Sequence, residues 1–156
     1  SIALSEALIC RGLKSTVLTA VHIDKAGEFF TPERAVELLD AGTIVVIAGG
    51  TGNPFFTTDT AAALRCAEIN ADVLLKATKV DGIYDSDPMK NPAAERFVSI
   101  THAEALSRKL KVMDATAFSF CMENGIPIII FKLHVRGNLR KCVEGELIGS
   151  VVKTGG

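Results

Sequence analysis

One run of the chain, Gly50-Thr51-Gly52-Asn53-Pro54-Phe55-Phe56-Thr57-Thr58-Asp59, combines glycines, hydroxyls, an aromatic pair and a carboxylate. It follows the apolar run Thr43-Ile44-Val45-Val46-Ile47-Ala48 and precedes Thr60-Ala61-Ala62-Ala63-Leu64-Arg65-Cys66, which reads as a helix. Strand, glycine-rich turn and helix together suit an anion such as phosphate. Glycines let the backbone come close, and a helix start points unpaired N–H groups outward. In open α/β sheets the carboxyl end of a strand is also where ligands sit. Thr51, Gly52, Thr57 and Thr58 are the candidate phosphate cradle. The competing account is an ordinary turn capped by Thr58 or Asp59, since turns use the same residues. Phe55-Phe56 weighs against it, because a plain turn has no use for two large apolar rings, whereas a pocket for a flat base or a partner subunit does.

Two more sets of residues could carry chemistry. Lys76-Ala77-Thr78-Lys79 ends a strand at the presumed ligand face. A phosphate-bearing ligand needs donors on its charged oxygens, and strand alternation lets only one of the two lysines face them. Lys76 is taken as the catalytic candidate, with Lys79 left open. Asp59 would be a good cap at a helix start. Beside phosphates it would instead repel unless it held a lysine or Mg²⁺ in place, and that organising role is favoured.

The elements that must position these groups follow from pattern. Helix is expected over 2–11, from Pro32 to before Gly42, over 59–70, 101–109, 114–124 and 138–143. Strand is expected over 15–21, 43–48, 73–78, 127–132 and 147–153. Thr31-Pro32-Glu33 has the signature of a helix start, a hydroxyl at N-cap and proline at N1. Asp114 reads as another N-cap. The segment 79–93, with its Asp, Pro and Gly, reads as loop, and its length suggests function. Short β-branched strands alternating with helices imply a largely parallel sheet with helices on both faces. The 156 residues are read as a single domain with an adequate apolar share of 48%.

Two further segments stand in order after the first: Leu75-Lys76-Ala77-Thr78-Lys79-Val80-Asp81-Gly82-Ile83-Tyr84-Asp85-Ser86-Asp87-Pro88 and Leu110-Lys111-Val112-Met113-Asp114. With GTGNPFFTTD they resemble the bacterial uridylate (UMP) kinases, a branch of the amino acid kinase superfamily. The resemblance implies a three-layer α/β sandwich with a mainly parallel sheet, an amino acid kinase-like fold that is N-terminally incomplete. Such kinases open on a Lys-Leu-Ser-Gly turn and a Gly-Gly-Gly-Asn loop, neither of which occurs here. The chain is therefore expected to match the larger, C-terminal part of such a protein and to be inactive alone.

The resemblance also implies roles. It assigns Thr51, Gly52, Asn53, Pro54, Phe55, Phe56, Thr57 and Thr58 to UMP. Thr78, Tyr84 and Asp87 fall to ATP, with the Tyr84 ring stacking on adenine and Asp87 accepting from the ribose or base. Ordinary turn chemistry competes for 85–88. The reaction implied is ATP plus UMP to ADP plus UDP, a step of pyrimidine nucleotide biosynthesis, with Mg²⁺ arriving on ATP. A homohexamer built from dimers is implied too, with GTP and UTP as candidate allosteric effectors. The apolar Ile2, Leu4, Leu8 and Ile9 of the first helix agree with an oligomer. Met113-Asp114, where carboxylate kinases of the superfamily carry a catalytic lysine nearby, favours a nucleotide acceptor. The alternatives are a carboxylate kinase or a non-catalytic binding, storage or regulatory protein on the same fold.

Composition narrows the remaining classes. A net charge of -1 and a pI near 6.3 argue against a nucleic-acid or anionic-membrane binder. No apolar run approaches the ~20 residues of a membrane span, and no signal-peptide pattern opens the chain, so a cytoplasmic protein is expected. Cys10, Cys66, Cys121 and Cys142 form no C-x-x-C pair, and His22, His102 and His134 stand far apart. No protein-held metal site is expected. Cys66 and Cys121 are expected to be buried small hydrophobes.

Overall fold

The computed structural model describes residues 1–23, 25–111 and 113–155. These divide into two compact units, 1–70 and 71–156.

In the first unit, α1 (Ile2–Ile9) leads through a turn to β1 (Ser15–Thr19), and the Ser5 hydroxyl donates to Ser15 Oγ at 2.9 Å. β2 (Glu28–Phe29), α2 (Pro32–Asp40), β3 (Ile44–Ala48) and α3 (Thr58–Glu68) complete it. The sheet order is β2-β1-β3, parallel throughout, and Ser15 to Thr19 lies in register with Ile44 to Ala48. This register brings the carboxyl ends of β1 and β3 level, so the turn after β3 starts beside Ala20. Thr31 caps α2, its Oγ1 accepting from Arg34 N at 3.2 Å, and Pro32 takes the first helical position. The core is Leu18, Phe30 and Ala35, with Leu38, Val45, Ile47 and Ile69 packed against it.

The second unit contains β4 (Leu74–Thr78), β5 (Ile83–Tyr84), β6 (Arg96–Phe97), β7 (Ser99–Thr101), α4 (His102–Ser107), α5 (Ala115–Glu123), β8 (Ile128–Lys132), α6 (Asn138–Val143) and β9 (Ser150–Lys153). Its sheet order is β4-β8-β9-β7; β4 with β8 and β7 with β9 are parallel, and β8 with β9 is antiparallel. β5 and β6 form a short antiparallel ribbon. Ser150 ties the ribbon to β9, accepting from Ile83 N at 2.8 Å while donating to Phe97 O at 2.5 Å. Arg96 Nη1 adds a 2.6 Å bond to Gly149 O. Phe131, Ile128, Val152 and Cys121 are fully buried.

The mainly parallel α/β organisation agrees with expectation, as does α6. Four short strands, β2 and β5 to β7, were not expected, and β5 falls inside the segment read as loop. Two or three residues are too few to show a period of two, so partner strands define them. Cys66 and Cys121 are buried, as is Cys142, and burial pushes the thiols of Cys66 and Cys142 up. No helix among the described residues is long and apolar enough to cross a membrane.

Candidate functional site

Residues 49–57 form a turn bent by left-handed backbone. Gly49, Gly50 and Gly52 have φ of 80°, 63° and 78°. Gly52 N donates to Gly49 O at 3.0 Å. A Cβ on Gly52 would lie 2.8 Å from Ala20 O, so the absence of a side chain is what lets this turn sit against the end of β1. Thr51 Oγ1 accepts from Asn53 N at 3.2 Å, and Asn53 Nδ2 donates to Thr51 O at 3.3 Å. Phe55 is fully exposed and also left-handed, with φ 70°, while Phe56 is about half exposed at 53%. Thr58 is exposed, whereas Asp59 is half-buried in the first turn of α3.

The cap of α3 is Thr57, whose Oγ1 accepts from Asp59 N at 3.1 Å and Thr60 N at 3.2 Å. This corrects the expectation of Thr58 or Asp59 and starts the helix one residue early. The Thr57 hydroxyl oxygen is thereby directed to the helix start, and Thr58 is the hydroxyl left on the outer surface. The structure thus brings the loop residues Thr51 to Thr58 together on one turn in the first unit.

The second unit groups the other candidates. Lys76 and Thr78 share a face of β4 by alternation and are both half-buried, whereas Lys79 lies exposed beyond the strand end. Thr78 Oγ1 donates to Val80 O at 2.7 Å and accepts from Val80 N at 3.2 Å, tightening the turn that leaves β4. Tyr84 and Asp87 line a cavity of about 400 Å³ together with Asp85 and Ser86. Its other wall carries Arg108, Lys109 and Lys111, which sequence reasoning did not single out as a group. The signal was present as the basic run Arg108-Lys109-Leu110-Lys111. Cations facing an aromatic ring and a loop of acids make a chamber with a charged wall, suited to an anionic, base-bearing ligand. Val112 of the third motif lies outside the described residues.

Much of the acidic loop is also engaged in its own architecture. Asp85 Oδ1 accepts from Glu95 N and Ser86 Oγ, both at 3.0 Å. Asp87 Oδ1 accepts from Met89 N at 3.0 Å, an Asx turn. The Tyr84 hydroxyl donates to Asp81 Oδ1 at 2.8 Å, and that bond pushes its pKa up. Asp114 Oδ1 caps α5 by accepting from Ala117 N at 3.0 Å, as expected. Among the described residues no three His, Cys, Asp or Glu side chains converge on a point that could hold a metal.

Among the described residues, two buried side chains stand out for how little hydrogen bonding their polar atoms receive. The His102 imidazole has only the backbone of Lys153 and Ile126 nearby, its ring is tilted on Phe118 at 5.5 Å, and burial outweighs those contacts and holds its pKa below the usual histidine value. The other is Arg65 Nε. Neither was expected from the sequence.

Comparison with known proteins extends over nearly the whole chain. It is 53% identical over 152 residues to a uridylate kinase of Parabacteroides distasonis, covering 97% of this chain and 64% of that one. Identity to a uridylate kinase of Bacteroides thetaiotaomicron is 54%, with the same coverage. The chain thus spans 64% of the length of these relatives. Among solved structures, the UMP kinase from Bacillus anthracis superposes with a TM-score of 0.96 at 30% identity, over 100% of this chain and 65% of that one. The UMP kinase from Ureaplasma parvum gives 0.92 at 35% identity, over 97% and 65%. The profile of the Amino acid kinase family matches residues 3–132, which include the glycine turn, β4, the acidic loop and the basic wall; the chain belongs to that family.

Proposed function

We propose that the protein carrying this chain transfers the γ-phosphoryl group of ATP to UMP, giving ADP and UDP. The observation that carries the reading is the turn of residues 49–58, where close-packed glycines, an exposed Thr58 and the exposed pair Phe55-Phe56 meet at a helix start. The similarity to uridylate kinases supports it. In this reading both units are parts of one kinase domain, and Thr51, Gly52, Asn53, Pro54, Phe55, Phe56, Thr57 and Thr58 take UMP. Thr78, Tyr84 and Asp87 take ATP, with the cations of 108–111 drawing its phosphates. The transfer is in line and uses no covalent enzyme intermediate, so positioning and charge neutralisation do the work. Asp59 organises positive charge, and Lys76 donates to oxygens that gain charge. Mg²⁺ is substrate here, entering with ATP.

Ile2, Leu4 and Ile9 of α1 are about half exposed at 47–56%, which supports a homo-oligomer, a hexamer in this proposal. GTP and UTP are the effectors to test against it. Compare UDP, CDP and ADP formation by the full-length protein from UMP, CMP and AMP. Strong preference for UMP is the expected result. Equal rates on CMP, or activity only on a carboxylate such as acetylglutamate, would overturn the proposal.

A further inference from the structure

Arg65 belongs to the last turn of α3, yet its guanidinium serves the loop in front of that helix. Thr58, Ala61, Ala62 and Arg65 recur at helical spacing and face Val45, Ile47 and Ala48 of β3 around a cavity of about 460 Å³. The small Ala61 and Ala62 leave room for the arginine to lie back toward the helix start, the direction helical side chains favour. Its Nη2 donates to Gly50 O at 3.3 Å, its Nη1 pairs with Glu68 Oε2 at 2.5 Å, and its guanidinium carbon lies 4.1 Å from the centre of the Phe30 ring. Phe30 is itself core, packed with Leu18 and Ala35.

This placement is costly. The side chain is only 13% exposed, and Nε is buried with no partner. A hydrophobic side chain of similar size would fill the space without that penalty. What an apolar residue could not do is hold a carbonyl. In a planar trans peptide the C=O of one residue and the N–H of the next point to opposite sides. Fixing Gly50 O on Arg65 therefore aims the Thr51 N–H away from the arginine. Gly50, at φ 63°, is the residue type that accepts this orientation without strain.

We propose that Arg65 is a positioning residue. It locks the Gly50–Thr51 peptide so that the Thr51 N–H is presented to the phosphate of the acceptor nucleotide. The inference rests on the reading of residues 51–58 as the acceptor loop. Phe30 and Glu68 keep the guanidinium in plane, and the planar fork reaches the carbonyl and the carboxylate at once. Lysine supplies the charge without the fork.

The test uses Arg65→Lys and Arg65→Met in the full-length protein, with steady-state kinetics and thermal melting. Both variants are expected to raise KM for UMP by about tenfold or more, with kcat and KM for ATP nearly unchanged. A purely structural arginine would instead lower the melting temperature and leave KM for UMP as it was, which would overturn the proposal. So would full retention of UMP affinity in Arg65→Lys. Gly52→Ala, which disturbs the turn directly, separates the two layers of inference. If it raises KM for UMP and the Arg65 variants do not, the positioning role falls and the acceptor-loop reading stands. If Gly52→Ala also leaves KM for UMP unchanged, the acceptor-loop reading falls and takes the positioning role with it. Should the Arg65 variants fail to fold, Glu68→Gln loosens the same clamp from its far side. It is expected to raise KM for UMP by about threefold with KM for ATP unchanged, and an unchanged KM for UMP overturns the proposal.

Discussion

Residues 49–57 are bent by left-handed glycines and held from behind by Arg65, whereas residues 79–98 are bent by side chains that hydrogen-bond their own backbone. In the first region the side chains of Thr51, Asn53 and Thr57 are themselves bonded to the local backbone, so the ligand-facing chemistry is mostly peptide N–H and the exposed Thr58 hydroxyl. In the second, Asp85 and Asp87 each already hold a backbone N–H, so a ligand meets the Tyr84 ring and the opposing cations before it meets a carboxylate. A backbone site reads shape and charge at close range and depends on peptide orientation. A side-chain site tolerates more backbone motion and depends on the groups themselves.

That difference can be broken with one pair of substitutions. Thr58→Ala removes the exposed hydroxyl at the start of α3 and is expected to cost UMP about 1.5–3 kcal/mol of binding, leaving ATP nearly unaffected. Tyr84→Ala is expected to do the reverse, weakening ATP by about 0.5–1.5 kcal/mol through the lost ring. Calorimetric titration of each nucleotide onto each full-length variant checks the assignment. If both substitutions act on the same nucleotide, the two regions do not divide the substrates between them.

Acid should sharpen the contrast, because only the second region leans on a buried histidine. His102 opens α4, the helix whose end supplies Arg108 to the basic wall. Its folded pKa is depressed from 6.5 by burial, so below that value the unfolded chain binds the extra proton first. The stability this group contributes is fully present above pH 6.5 and is lost as pH falls toward the folded pKa. One such proton gives a slope of at most ~1.4 kcal/mol per pH unit. Amide exchange in α4 is expected to accelerate between pH 7.5 and 5.5 more than exchange in α3, and His102→Gln to flatten the difference. Equal acceleration in both helices, or no change with the substitution, would show that His102 is not the sensor.

Both regions were visible in the sequence to different depths, for physical reasons. The Thr31-Pro32-Glu33 start of α2 was legible because capping is local chemistry that needs no partner strand. The α3 cap was misplaced by one residue because Thr57, Thr58 and Asp59 are all competent caps, and only the path of the preceding loop decides among them. The β5–β6 ribbon was hidden because its strands exist through pairing across the chain and through Ser150. Arg65 gave no sign of its role. On a helix an arginine usually reads as a solvated charge, and its burial depends on Phe30 and Gly50, distant in sequence.

The smallest expected effect concerns Phe55, where the two demands on the glycine loop pull apart. A bulky residue at φ 70° costs about 1–2 kcal/mol relative to an unstrained backbone, and Phe55 recovers none of it by burial, being fully exposed. Phe55→Gly removes that strain but enlarges the unfolded ensemble, which takes back about 0.4–1 kcal/mol. The net change in stability is therefore expected to be a gain of between about zero and about 1.6 kcal/mol. Affinity for UMP is expected to move the other way, since the ring is lost and the loop is no longer held in one shape. Thermal melting of the full-length protein with and without UMP tests both halves together. A variant less stable than the parent would mean that the exposed ring is covered in the assembled protein, and strain at Phe55 would then belong to an interface between subunits. A more stable variant with unchanged UMP affinity would remove the aromatic pair from the acceptor site and leave the glycines, Thr51 and Thr58 to form it alone.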